Sequence, residues 1–331
     1  MLRKSKKEKI LVTGAAGFIG MHVCKRLLDD SHFVIGLDNL NDYYDVKLKK
    51  DRLLQLKPYK NFKFIKQDVA NQKAMAKTFS EGKFDKVIHL AAQAGVRYSI
   101  TNPYPYVDSN LVGFLNILEG CRHNKIKHLV FASSSSVYGA NNKTPYKESD
   151  KADHPVSLYA ATKKANELMA HAYSHLYSLP ATGLRFFTVY GPWGRPDMAT
   201  KIFADAITKG ESIPVFNNGN LNRDFTYIDD IVEGVVRVLN KLPKNESSAC
   251  FQIYNIGNNK PVKLLDFIKT MERAIGQKAV KKMMPHQPGD VLATHADINA
   301  IKNAVGFAPK TRLEDGIAKF VSWHKSYYGN K

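Results

Sequence analysis

At 331 residues, 44% of them hydrophobic, the chain is long enough for a large core and more than one domain. No run approaches the roughly 20 apolar residues of a membrane span, and Met1-Leu2-Arg3-Lys4-Ser5-Lys6-Lys7 lacks the apolar segment of a signal peptide, so a cytoplasmic protein with no membrane contact is expected. The formal charge of +19 invites a nucleic-acid reading, but the basic residues are spread out and the densest run, 3–9, has no interleaved aromatics, which predicts a solvated tail, attraction of a small polyanionic substrate and no nucleic-acid partner.

In chain order, short apolar segments alternate with helical patterns. Residues 9–13 read as a buried strand and 19–28 as the helix after it. Segments 33–38, 62–67, 86–91 and 128–133 read as further strands, with a helical stretch at 107–122 between the last two. Strands buried on both faces and joined by helical crossovers imply an α/β fold with a doubly wound parallel sheet. After about residue 185 the rhythm changes, beginning with the turn-rich Gly191-Pro192-Trp193-Gly194-Arg195-Pro196, and a smaller C-terminal α/β domain is expected. Cys24, Cys121 and Cys250 stand far apart and none of the 11 histidines sits in metal-ligand spacing, so neither a disulfide framework nor a metal site is expected.

The turn Gly14-Ala15-Ala16-Gly17-Phe18-Ile19-Gly20 follows the first strand and opens a helix, so its N–H groups and the helix dipole suit a pyrophosphate. A GxxGxxG pattern also serves tight packing, and alone it decides little. Asp38, ending the second strand before Asn39, strengthens the dinucleotide reading: a carboxylate there accepts from an adenosine ribose and repels a 2′-phosphate, so NAD is expected over NADP. Asp68-Val69 and Leu90-Ala91-Ala92 fall at carboxyl ends of strands, where open α/β sheets bind ligands. Asp68 reads equally as a helix cap or an adenine contact, and the two alanines let backbone approach a cofactor. Downstream, Tyr159 and Lys163 share one helix face a turn apart, so the ammonium is expected to lower the phenol's pKa and make Tyr159 a proton-transfer group.

Together with Ser133-Ser134-Ser135-Ser136-Val137-Tyr138-Gly139, these motifs resemble the extended short-chain dehydrogenase/reductase superfamily of nucleotide-sugar enzymes over nearly the whole chain. Residues 91–99 and 184–198 resemble the UDP-glucuronate 4-epimerases in particular. The resemblance implies a Rossmann-type NAD-binding domain at 1–185, with 226–257 returning to it, and a UDP-sugar-binding domain at 186–225 and 258–331. It implies that Tyr159 takes the proton of the sugar 4-hydroxyl while C4 gives hydride to NAD, that Lys163 holds the nicotinamide ribose, and that Ser134 hydrogen-bonds the same oxygen. The implied cofactor contacts are Gly14, Gly17, Phe18, Ile19, Gly20, Asp38, Asn39, Asp68, Val69, Leu90, Ala91, Ala92, Ser133, Tyr159, Lys163 and Phe186.

Related 4,6-dehydratases carry an Asp-Glu pair where Ser135 and Ser136 stand, and the decarboxylases a glutamate in place of Ser136, so both branches are disfavoured. Oxidising a uronic acid at C4 creates a β-keto acid that loses CO₂ readily. Ser135, Ser136 and Thr188, with Arg195 nearby, are assigned to hold its carboxylate, Thr188 reading also as a buried strand-end hydroxyl. The segment 222–230 resembles the one whose arginine binds the UDP phosphates, which makes Arg223 the expected diphosphate ligand, with a salt bridge to Asp224 or Asp229 as its other reading. Residues 287–291 match another uridine-side motif in which hexose epimerases have arginine at the place of Gln287, leaving the role of Asp290 open. Arg97 reads as a contact to the sugar carboxylate or to a phosphate. The helical stretches 107–122 and 159–178 are apolar on more than one face, and in relatives such helices pair as a four-helix bundle, implying a homodimer. The expected activity is NAD-dependent 4-epimerisation of UDP-glucuronate to UDP-galacturonate. The alternatives are a UDP-glucose or UDP-N-acetylglucosamine 4-epimerase and a non-catalytic sensor of NAD or a nucleotide sugar, against which the Tyr159/Lys163 pair speaks.

Overall fold

The computed structural model describes residues 7–141, 143–244, 249–287 and 291–329. Its strands are β1 (Lys9–Thr13), β2 (Phe33–Asp38), β3 (Phe62–Lys66), β4 (Lys86–His89), β5 (His128–Ser134), β6 (Ala181–Phe186), β7 (Thr188–Tyr190), β8 (Ser212–Val215), β9 (Asn222–Tyr227), β10 (Phe251–Ile256), β11 (Pro261–Lys263) and β12 (Val280–Met283). Seven of them form one parallel sheet in the order β10-β6-β5-β4-β1-β2-β3. The order reverses between β1 and β4, the switch point where an open sheet leaves a crevice.

The apolar strands are buried from both sides. Along β1, Ile10 and Val12 face one core while Leu11 faces the other, as the two-residue period requires. Helices Phe18–Asp29 and Ile228–Leu239 cover the first face, burying Met21, Leu27, Ile231 and Val235. Helices Gln72–Gly82, Gly113–His123 and Leu158–Tyr177 cover the second, around Phe79, Phe114 and Ala170. The parallel-sheet expectation agrees with this architecture, with strand ends shifted by at most two residues.

Past β6 the chain leaves the large sheet at Phe187 and enters a three-stranded sheet, β11-β9-β7, with a separate parallel pair of β8 and β12. Helices Ala199–Lys209, Leu264–Ile275 and Leu313–Tyr328 pack over this layer, and Phe225 stacks on Phe267 at 4.3 Å between centroids. One stretch departs from the sequence reading: residues Val107–Val112 form a π-helical turn before the α-helix Gly113–His123. Such turns cluster at functional sites, and Asn110 within this one is buried and reaches the helix Leu158–Tyr177 through the Thr162 hydroxyl. Among the described residues, no helix is long and apolar enough to cross a membrane.

Two core histidines give the fold a pH signature. His128 sits 3.1 Å from the Leu239 carbonyl and 2.9 Å from the Thr182 hydroxyl, and burial pushes its pKa down to about 4 and that of His89 to about 3. Unfolded imidazoles protonate near 6.5, so between about pH 6.5 and 4 the unfolded chain binds more protons than the native one and stability falls as the pH falls. Each group contributes about 2–3 kcal/mol of that loss by pH 4.5. Urea midpoints should therefore be clearly lower at pH 4.5 than at pH 7, and a midpoint independent of pH would contradict neutral buried imidazoles.

Candidate active site

The site is built at the carboxyl ends of the central strands. Gly14 has φ +73, and a Cβ there would lie 2.8 Å from the Leu90 carbonyl carbon and the Ala91 nitrogen, so only glycine lets the turn cross the end of β4 so closely. The Gly14 N–H donates to the Leu37 carbonyl at 2.8 Å, tying the turn to β2. Helix Phe18–Asp29 starts behind Gly17, with no side-chain oxygen at its cap, so the first-turn N–H groups at Phe18 and Ile19 and the helix dipole suit an anion. Asp38 is nearly buried; its Oδ2 accepts from the Ala16 N–H at 3.1 Å and its Oδ1 from the Leu40 N–H at 2.9 Å. Burial raises its pKa against those two bonds. The carboxylate is thus a turn residue that keeps acceptor capacity for a ribose.

Around this turn the other expected cofactor contacts take defined places. Asn39 donates to Asp68 Oδ2 at 2.8 Å, and Asp68 Oδ1 accepts from the Ala70 N–H at 2.8 Å. The following helix is capped by Asn71, so Asp68 is not its cap. Val69 is buried and its carbonyl accepts from Asn116 at 2.8 Å. The Leu90 N–H donates to the Thr13 carbonyl and the Ala91 N–H to the Thr13 hydroxyl, both at 3.2 Å, while Ala92 follows half-buried. Phe186 is buried at the end of β6, and Gly20 packs its helix onto the Gly14 carbonyl. A glycine turn, a carboxylate at the end of β2 and small residues after β4 together fit a dinucleotide.

The helix Leu158–Tyr177 begins at Ser157, whose hydroxyl accepts from the Ala160 N–H at 3.1 Å. It presents Tyr159, Lys163 and Glu167 at four-residue spacing on one face. Glu167 receives two Arg185 bonds of 2.8 Å and the Ser133 hydroxyl at 2.6 Å. Burial alone would raise this carboxyl, but Arg185 holds it below the ordinary range. Lys163 is buried and donates to the Ala132 carbonyl at 2.9 Å.

Two expectations need correction at this helix. The Tyr159 phenol lies above its usual pKa because burial outweighs everything else, and the groups that hold it down are the Ser134 hydroxyl and the Arg195 charge. The Lys163 ammonium is turned onto the Ala132 carbonyl of β5, and burial lowers its own pKa to about 8. The Ser133 hydroxyl is committed to Glu167, so this residue has only its backbone to offer a cofactor.

Ser134 and Ser136 are linked through their hydroxyls at 3.1 Å, and Ser135 and Ser136 are half-buried, as is Thr188 where the chain passes between the two sheets. Arg195 Nε donates to Asp197 at 3.0 Å, and the Tyr43 hydroxyl donates to the same carboxylate at 3.1 Å. Arg223 donates to the carbonyls of Asn222 at 2.9 Å and Leu292 at 3.2 Å, while the neighbouring Asp224 is filled by three backbone N–H groups at 2.7–3.0 Å. Arg97 is exposed and its guanidinium lies 4.9 Å from the Phe216 ring centroid. Asp290 lies outside the described residues. Sequence reasoning missed Glu167 and also Asn110, which bonds the Gln93 backbone at 2.8 and 3.0 Å and the Thr162 hydroxyl at 3.0 Å. Among the described residues, no three His, Cys, Asp or Glu side chains group as a metal site.

Residues 10–257 match the model of the NAD dependent epimerase/dehydratase family. The chain belongs to that family. It is 53% identical to Protein CapI of Staphylococcus aureus, over 97% of this chain and 99% of that one. It is 47% identical to the probable UDP-glucuronate 4-epimerase of Rhizobium meliloti (strain 1021), over 97% and 98%. The crystal structure of UDP-glucuronic acid 4-epimerase from Bacillus cereus in complex with UDP-glucuronic acid and NAD is similar at a TM-score of 0.89 and 34% identity, over 97% of this chain and 100% of that one.

In this epimerase/dehydratase family member, the cation acting on the Tyr159 phenol is Arg195. Removing that charge favours the neutral phenol. Arg195→Met should therefore move the lower pKa of the kcat/KM profile upward. A limb that stays in place would contradict the assignment of that charge to Tyr159.

Proposed function

We propose that this chain is an NAD-dependent epimerase that interconverts UDP-glucuronate and UDP-galacturonate through a transient 4-keto sugar. The reading is supported by Ser134 and Arg195 acting on the Tyr159 phenol, by the glycine turn held by Asp38, and by the similarity to UDP-glucuronate 4-epimerases. Residues 1–185 with 226–257 hold NAD, and 186–225 with 258–331 receive the UDP-sugar. NAD bound there would supply the acceptor and donor of the C4 hydride.

Tyr159 accepts the proton of the sugar 4-hydroxyl as the C4–H bond breaks, and Ser134 hydrogen-bonds that oxygen while it becomes a ketone. After the ketone turns over, hydride adds to its other face and Tyr159 returns the proton, so protons and electrons balance over the cycle. Lys163 holds the nicotinamide ribose. Ser135, Ser136 and Thr188 keep the C6 carboxylate in an orientation from which CO₂ does not leave, with Arg195 supplying positive charge. Arg223 takes the diphosphate with its planar fork, Asp290 belongs to the uridine side, and Arg97 reaches the carboxylate or a phosphate. Ile100, Tyr104, Leu115, Leu168 and Leu176 are exposed on the helical segments 98–123 and 158–177, which supports a homodimer through a four-helix bundle.

The test is purified protein with UDP-glucuronate and no added cofactor, the UDP-sugars being resolved by chromatography with mass detection. The expected product is an isomer of unchanged mass, formed by the native protein and slowed on the order of 10²–10⁴-fold by Tyr159→Phe. A product lighter by CO₂ would overturn the carboxylate assignment. Turnover of UDP-glucose or UDP-N-acetylglucosamine alone would replace the uronate reading with a neutral-sugar one.

A further inference from the structure

Arg52, on the helix Val46–Leu54, is fully buried and takes no part in the proton or hydride chemistry of the site. Its Nε and Nη2 donate to the Trp193 carbonyl at 3.0 and 2.7 Å, and Nη2 also to the Gly194 carbonyl at 3.1 Å. Nη1 donates to the Ala16 carbonyl at 3.1 Å and to the Tyr44 hydroxyl at 2.6 Å. Every one of these acceptors is neutral. Lys49, also buried, is likewise held by a neutral residue, donating to the Asn41 carbonyl at 2.7 Å. Both cations also act on the Asp38 carboxylate, while the guanidinium's hydrogen bonds are spent on the segments it joins.

It joins two segments far apart in sequence. Ala16 belongs to the glycine turn, where its N–H is held by Asp38 and its carbonyl by Arg52. Trp193 and Gly194 immediately precede Arg195. Trp193 has φ +64, a left-handed conformation uncommon for a bulky residue, and its carbonyl is the one that Arg52 holds twice. Its ring is wedged against Trp323 at 5.5 Å and Tyr327 at 5.0 Å. From the helix that the glycine turn opens, His22 Nε2 donates to the Pro192 carbonyl at 3.1 Å. The two segments are thus cross-linked at consecutive carbonyls.

We propose that Arg52 is a positioning residue that couples the dinucleotide subsite to the sugar subsite, by fixing the Trp193–Gly194 backbone, and through it Arg195, to the turn that receives the cofactor diphosphate. The coupling is reciprocal: whatever orders one segment favours binding at the other. The inference rests on reading the glycine turn as the NAD site and Arg195 as a sugar-side group.

The experiment follows exchange of bound NAD into excess isotopically labelled NAD, with and without UDP-glucuronate. In the native holoenzyme the sugar nucleotide should slow exchange roughly fivefold or more. Arg52→Lys keeps the charge but cannot reach Ala16, Trp193 and Gly194 together, and its ratio should fall to within about twofold of unity. If this variant retains no NAD, the same ratio is read from the Kd of added NAD with and without UDP-glucuronate. A ratio equal to the native one, even with a lowered Tm, would overturn the coupling and leave Arg52 merely structural, as would a native ratio of one. Should Arg52→Lys fail to fold, Tyr44→Phe, which removes a single acceptor hydroxyl, must give an intermediate ratio, and an unchanged one overturns the proposal. Native protein that neither carries NAD nor turns over UDP-glucuronate would instead sink the functional reading itself.

Discussion

The buried ion pair between Glu167 and Arg185 is the constraint on which the active-site geometry depends. Two bonds of 2.8 Å between the planar groups, with the Ser133 hydroxyl at 2.6 Å on the same carboxylate, weld the helix Leu158–Tyr177 to the ends of β5 and β6. Such a pair is costly to desolvate and is held by its geometry; removing either partner would leave a charge stranded in the core. The tie extends outward, because the Arg185 guanidinium lies 4.8 Å from the Tyr138 ring centroid and the Tyr138 hydroxyl donates to Asn255 on β10 at 2.6 Å. Three neighbouring strands and one helix are thereby held as a unit. Glu167 is one turn beyond Lys163 and two beyond Tyr159, so what fixes the carboxylate also fixes the phenol.

A second theme is positive charge satisfied by neutral oxygen. Lys163 rests on the Ala132 carbonyl, Lys49 on Asn41, and Arg52 on Ala16, Trp193 and Gly194. Basic side chains are thereby collected around the crevice, with the Asp38 carboxylate acting on Lys49 and Arg52. That suits a chain of formal charge +19 whose proposed ligands carry phosphates and a carboxylate. It also explains how a phenol raised by burial can serve as a base: at low dielectric, Tyr159 responds strongly to any cation brought near it.

Most of the sheet was legible in the sequence because each strand is a short apolar run and each crossover a helical pattern. The ligand-facing elements were legible for a local reason too: a glycine turn must lie beside its strand, and Tyr159 and Lys163 lie four apart. Glu167 continues that same spacing and could have been found by extending it one turn. Arg52 could not, since its partners on the glycine turn and at Trp193 and Gly194 lie 36 to 142 residues away in sequence and are all backbone carbonyls. The sense of the Tyr159 pKa is not legible in the sequence, because spacing gives the distance between two side chains but not the dielectric around them, nor the carbonyl onto which Lys163 turns. The π-helical turn at Val107–Val112 likewise has no composition of its own and is visible only where Asn110 meets Gln93 and Thr162.

The central claim is that hydrogen leaves C4 as hydride and returns to the same carbon. The most direct measurement follows UDP-glucuronate deuterated at C4 through the reaction in ordinary water. Full retention of deuterium at C4 of the UDP-galacturonate product is the predicted result. Loss of the label to solvent would mean that C4 surrenders a proton, and it would contradict both Tyr159 as the acceptor of the hydroxyl proton and NAD as the carrier of the hydride.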